Sequence, residues 1–193
     1  MKRMTIVSLF VFALACKNGK HADTNQQVND STEVFFPVAD YLKSEIREVD
    51  SLPVAITKYT IQNKHTDSSY IKMEEFHQLA KEFLPDELNI ENFQKNFSEN
   101  SFFDQTTGSS TFTYSTKNDQ LELQRVDVIA EPTGGYDKIK SVYMEKVSNL
   151  KDTVIVKKLF WVSRKNFQII TERRRGSAEP EVTQIKVLWN YWE

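Results

Sequence analysis

The residues able to do chemistry are few and scattered. Glu74-x-x-His77 sets a carboxylate and an imidazole three residues apart on one face of a predicted helix, a spacing that di-iron helix bundles use. Those bundles need a second copy of the pair and further glutamates, and this chain offers one copy, so the two are read as a solvated helix face. His21 and His65 have no cysteine or second histidine at ligand spacing, and suggest no zinc site. Neither a G-x-S-x-G elbow nor a P-loop occurs, and counts of serines and acids do not define a triad. No catalytic residue, metal ligand or cofactor is assigned, and no enzyme activity is expected. Arg173-Arg-Arg175, with Lys157 and Lys158 expected on neighbouring strands, is a basic run beside Gly176. Such a run is either solvated or set against lipid headgroups or a partner's acids. Cys16 is the only cysteine, so no intramolecular disulfide can form and the core alone must stabilise the fold.

The setting of that cysteine gives it a different role. Lys2 and Arg3 precede Thr5 to Ala15, a run free of charge and too short to span a bilayer as a helix, which needs about 20 residues. A basic start, a short apolar stretch and a small residue before the cut describe a signal peptide over residues 1–15. Ala13-Leu14-Ala15-Cys16 resembles a bacterial lipobox, with Leu14 one place later than the usual pattern has it. The resemblance implies that Cys16 carries the lipid and becomes the mature N-terminus. Several acyl chains, at about 0.8 kcal/mol per buried methylene, would then hold the protein on a membrane. Residues 16–33 carry no aromatic and almost no large aliphatic, so they cannot order themselves, and are read as a flexible tether of roughly 22 Å average span. No run of acids follows Cys16. In the bacterial lipoproteins that it resembles such a run often accompanies surface export, so the chain is expected to face the periplasm, on the outer membrane.

Charge narrows the partners. Removing residues 1–15 takes away Lys2 and Arg3 and no acid, leaving 23 bases against 27 acids, a net charge near −4. Nothing in that balance favours nucleic acid. With 39% hydrophobic and 27% charged residues, the remainder is ordinary globular material, and residues 34–193 are expected to form one α+β domain.

The elements that must carry these residues follow from periodicity. Val38, Leu42, Ile46 and Val49 predict an amphipathic helix that Leu52-Pro53 ends; a second helix spans Met73 to Leu84, and Ile90, Phe93 and Phe97 mark a shorter third. Val54 to Gln62 is a strand, and Asn63 to Ser69 a polar loop. From Thr107 onward strand follows strand. In Leu121–Ala130 the apolar positions change parity, which a β-bulge near Gln124–Arg125 would absorb. Pro132-Thr-Gly-Gly135 is a turn, then come Ile139–Val147, Val154–Val162 and Phe167–Arg173, and a last strand with Ile185, Val187, Trp189 and Tyr191 on one face. The expected fold is a curved antiparallel sheet of six or seven strands, its C-terminal meander covered by two or three N-terminal helices. Trp161, Trp189, Tyr191 and Trp192 either pack on Phe76, Phe83 and Phe93 as core or line a ligand cavity.

Phe35-Phe-Pro-Val-Ala-Asp-Tyr-Leu-Lys43, Ser101-Phe-Phe-Asp-Gln105 and Thr111-Phe-Thr-Tyr114 together resemble a group of uncharacterised bacterial envelope lipoproteins of Bacteroidetes type. The resemblance spans most of the mature domain and implies a location but no activity. In topology alone the expected arrangement is also similar to lipoprotein-carrier half-barrels, whose sheet holds acyl chains. The expected function is therefore that of a lipid-anchored, non-catalytic binding or accessory module that meets another envelope protein through a sheet edge or the Arg-rich hairpin. The alternative is a periplasmic carrier or sensor of an apolar ligand held between sheet and helices. Replacing Cys16 with serine should move the protein from the membrane fraction to the soluble one; a product that partitions as the parent does would remove the anchor.

Overall fold

Val38, Tyr41, Leu42, Glu45 and Val49 recur at helical spacing, and helix α1, Val38–Ser51, buries that stripe. Leu52 then turns extended ahead of Pro53, which cannot continue a helix. The computed structural model describes residues 35–131 and 138–189, all within the compact unit Val34–Glu193. Cys16, His21, the proposed signal peptide and tether, the Pro132–Gly135 turn, Tyr191 and Trp192 lie outside the described residues.

Strands β1, Ile56–Gln62, and β2, His65–Ile71, form a hairpin. Its two loop residues, Asn63 and Lys64, have φ of 51° and 66°, the conformation that lets a two-residue turn follow the strand twist. Helix α2, Met73–Ala80, tightens into a 3-10 turn at Lys81–Phe83, and a second such turn, Asp86–Leu88, leads to α3, Ile90–Asn96. The Asn89 side chain caps α3 by accepting from the Glu91 N–H. Seven more strands follow: β3 Ser98–Asp104, β4 Ser109–Ser115, β5 Leu123–Ala130, β6 Ile139–Leu150, β7 Thr153–Val162, β8 Asn166–Arg175 and β9 Glu181–Leu188.

All nine strands form one antiparallel sheet in the order β2-β1-β9-β8-β7-β6-β5-β4-β3. The C-terminal meander is therefore continuous, and the N-terminal hairpin extends it beyond β9. Three expectations are corrected. Among the described residues the sheet has nine strands rather than six or seven, and the additional ones are β2 and β3, its two edges. Asn63–Ser69, expected to be a loop, is mostly β2. Neither edge strand carries an apolar alternation, because neither buries a face. The helices also do not all precede the sheet: α2 and α3 are inserted between β2 and β3. The parity change in β5 coincides with a register shift between Leu123 and Arg125, as a bulge requires.

One face of the sheet bears the helices, and its polarity changes in rows across the strands. The first row, Val142–Trp161–Phe167–Val187, is fully buried. The second, Met144–Leu159–Ile169–Ile185, is buried or nearly so. Phe76 of α2 and Phe83 of the first 3-10 turn fill the space above Trp161, Phe167 and Trp189, with ring centroids 5.2–5.8 Å apart. Farther along, Phe35, Phe93 and Tyr114 close a second aromatic group at 5.0–5.6 Å. Truncating Phe167 to alanine should cost about 3–5 kcal/mol. Truncating Phe102, exposed on β3, should stay within about 0.5 kcal/mol. Urea midpoints of the two variants check the contrast.

Candidate functional site

Beyond the two apolar rows the same face turns polar. The third row is Lys146–Lys157–Thr171–Thr183 and the fourth Ser148–Ile155–Arg173–Glu181. Strand alternation points Lys146 and Lys157 toward the helix side, and Glu82, on the first 3-10 turn, stands over both. Lys157 Nζ lies 2.8 Å from Glu82 Oε1, and Lys146 Nζ lies 3.4 Å from Glu82 Oε2 and 3.6 Å from Glu122 Oε1. Lys146 is 7% exposed, so its charge needs these carboxylates. Burial pushes the Glu82 carboxyl upward, but the hydrogen bond and charge of Lys157, with the charge of Lys146, outweigh it and hold the group below its ordinary value. Lys146 and Lys157 thus each already have an anion. The cluster closes the open end of the core rather than presenting a free charge.

A second buried polar group fastens α1. Glu45 Oε2 accepts from Trp161 Nε1 at 3.1 Å and from the Arg164 N–H at 2.8 Å. Arg164 has φ of 59°, and the Glu45 carboxylate holds that left-handed turn residue in place. Tyr41 hydrogen-bonds the Ser163 hydroxyl, which donates to the Ile139 carbonyl at 2.5 Å. Burial raises the Tyr41 phenol far above its usual value, so it stays neutral. The Glu45 Oε2, Tyr41 and Ser163 oxygens of this group all have structural partners, and among the described residues no imidazole is hydrogen-bonded to Ser163.

The residues singled out in the sequence are not brought together. His77 Nε2 hydrogen-bonds Asp50 Oδ1 at 2.6 Å and joins α2 to α1. Glu74 instead lines an open groove of about 670 Å³ with Tyr70, Glu75 and Gln78. His65 begins β2, exposed. Lys157 and Lys158 fall on opposite faces of β7, with Lys158 across from Glu145. Arg174 pairs with Glu172 at 3.1 Å and Arg175 with Asp152 at 3.4 Å, so two of the three arginines are neutralised locally. Among the described residues no group of three or more metal-binding side chains is placed to hold an ion.

The candidate site lies at the sheet's edge. β3 pairs with β4 along its whole length and, among the described residues, has no strand on its other side. Its outer row of N–H and C=O groups can therefore accept a further strand. Phe102 is 66% and Phe103 53% exposed, and alternation sends them to opposite faces of the sheet. Edge strands are usually blunted by charge, proline or brevity. β3 carries acids only toward its ends, at Glu99 and Asp104, and Asp104 is occupied capping the turn through the Thr106 N–H and the Thr107 hydroxyl, both at 2.8 Å. The opposite edge, β2, is polar apart from Tyr70 and Ile71. Sequence reasoning noticed Ser101–Gln105 as a likeness only; adjacent aromatics within a polar stretch were the available signal.

Compared with known protein families, curated proteins and solved structures, the chain matches none of them.

The depressed Glu82 carboxyl has a consequence for stability. Its contribution is fully present above the ordinary value of 4.5 and is lost as pH falls through the lower folded value. Glu82→Gln should flatten the acid limb of the melting-temperature profile in that window and lower stability at neutral pH, where Lys146 and Lys157 lose their shared carboxylate. Thermal melts between pH 2 and 7 measure both effects.

Proposed function

We propose that this chain is a lipid-anchored cell-envelope lipoprotein that acts as a non-catalytic binding module through the free edge of β3. Cys16 is the attachment point, the membrane is the outer membrane, and the folded unit faces the periplasm. A partner in the same envelope supplies the strand that completes the edge. The observation that carries this reading is the pair Phe102 and Phe103, more than half exposed on a strand that pairs with β4 on one side and, among the described residues, with no strand on the other. A strand laid there gains main-chain hydrogen bonds, while the two rings offer apolar contacts on both faces of the enlarged sheet.

Support also comes from how the rest of the described surface is used. The charged belt at Glu82 is internally paired, and the arginine hairpin is largely neutralised. The carrier alternative needs an apolar hollow of at least about 300 Å³ between helices and sheet. Phe76, Phe83, Trp161, Phe167 and Trp189 fill that space with side chains no more than 1% exposed.

Phe102→Lys combined with Phe103→Lys should leave the fold intact, since both side chains project into solvent, and should break the complex. Central aromatic contacts in interfaces commonly contribute about 2 kcal/mol or more, so binding should weaken roughly 30-fold. Extraction of the anchored protein in mild detergent, followed by native electrophoresis, reads the loss of the larger species. An unchanged complex, at an unchanged melting temperature, would overturn the reading.

A further inference from the structure

We infer that the strand seated on the β3 edge is β3 of a second copy of this chain, paired antiparallel about a twofold axis through Phe102. The inference rests on the reading of that edge as the docking element. A twofold pair preserves the two faces of the sheet, so Phe102 can face Phe102, or Ser101 face Ser101, but Phe102 never faces Phe103.

The distribution of side chains along β3 selects among these arrangements. Centred on Phe102, the two Phe102 rings lie directly across from each other on one face. Phe103 lies across from the second copy's Ser101 on the other face, with the two Phe103 rings at the diagonal separation aromatic side chains can bridge. Asn100 meets the second copy's Asp104, an amide donor against a carboxylate, and Glu99 meets the neutral Gln105. No like charges oppose each other. Centred on Ser101 instead, Phe103 would face the carboxylate of Glu99 and Phe102 would face Asn100. Centred on Phe103, Phe102 would face Asp104. The strand is thus self-complementary in one register, in rings and in charge. Pairing β3 with β2 of another copy would be head-to-tail and would leave β3 and β2 free at the two ends, an open chain rather than a closed pair.

The seven-residue edge is small. It buries less than the roughly 800 Å² per partner of a standard interface, so the pair should be weak in dilute solution. Two copies anchored on one membrane meet at a much higher effective concentration, which suits a contact of this size.

Directly opposed residues of an antiparallel pair have Cα atoms about 4.5–5.5 Å apart, within disulfide reach. The full-length chain is kept with Cys16 in place and in its own membrane, where that sulfur carries the lipid and an introduced thiol is the only free one. Phe102→Cys is then expected to give a covalent dimer on mild oxidation, several-fold more than Tyr70→Cys, an 80% exposed control on the other edge. Asn100→Cys and Asp104→Cys should each cross-link poorly alone, because each lies about 14 Å from its own counterpart, and should cross-link when mixed. Equal yields from Phe102→Cys and Tyr70→Cys overturn the self-pairing. So does the case in which the double lysine variant breaks a complex while Phe102→Cys gives no dimer; the edge then serves a different protein and the broader reading stands. A complex untouched by the double lysine variant removes both.

Discussion

The fold depends on Phe167 being enclosed on every side by other rings. Trp161 stacks on it at 5.3 Å with a 23° tilt, and Phe76, Phe83 and Trp189 surround it at 5.2–6.0 Å. Two of these rings come from the helical segment and the others from the last three strands or their ends. Their contact is what joins α2 to a sheet whose strands otherwise know only their neighbours. Large aromatic groups bury more area per residue than aliphatics, and their edge-to-face and tilted contacts add specificity to that burial. No disulfide assists, since the chain has one cysteine.

The strands outrun the helices that cover them, and the side chains record where cover ends. Along β6 the helix-facing positions pass from Val142 and Met144 to Lys146 and Ser148, and along β7 from Trp161 and Leu159 to Lys157 and Ile155. Glu82 sits at that boundary. Its carboxylate accepts both lysines, which allows the face to change from apolar core to wetted surface over one residue pair without leaving a buried charge unpaired. At the other end of the same strands Glu45 does a comparable service, satisfying the Trp161 indole and a left-handed turn residue with one oxygen. Polar residues thus bracket the aromatic core along the strand direction.

Across the strands, among the described residues, nothing brackets the sheet. It ends at β2 on one side and β3 on the other. β2 is polar enough to remain in water, whereas β3 displays phenyl rings on both of its faces, a pattern suited to a strand inside a sheet more than at its margin. The proposed docking role rests on that mismatch between the strand's position and its side chains, and in that proposal main-chain hydrogen bonding takes the place of a cleft.

By itself the sequence determined what depends on local pattern. Val38, Leu42 and Val49 specify α1; β-branched and aromatic runs specify β7 and β8; and the parity change between Leu123 and Val126 specifies a bulge. These features were legible because burial on one face leaves a period in the chain. His65–Ile71 and Ser98–Asp104 leave no such period, having no buried face, so β2 reads as a loop and β3 is not marked as a strand. Only tertiary structure decided that β1 closes onto β9, and that Lys157 faces Glu82 while Lys158 faces away from it. It also decided that Glu74 and His77 take separate partners and that Phe102 and Phe103 stand at an open edge. Each of these turns on which distant segment lies alongside, a pairing fixed by the summed burial of the whole aromatic core and not encoded in any short stretch.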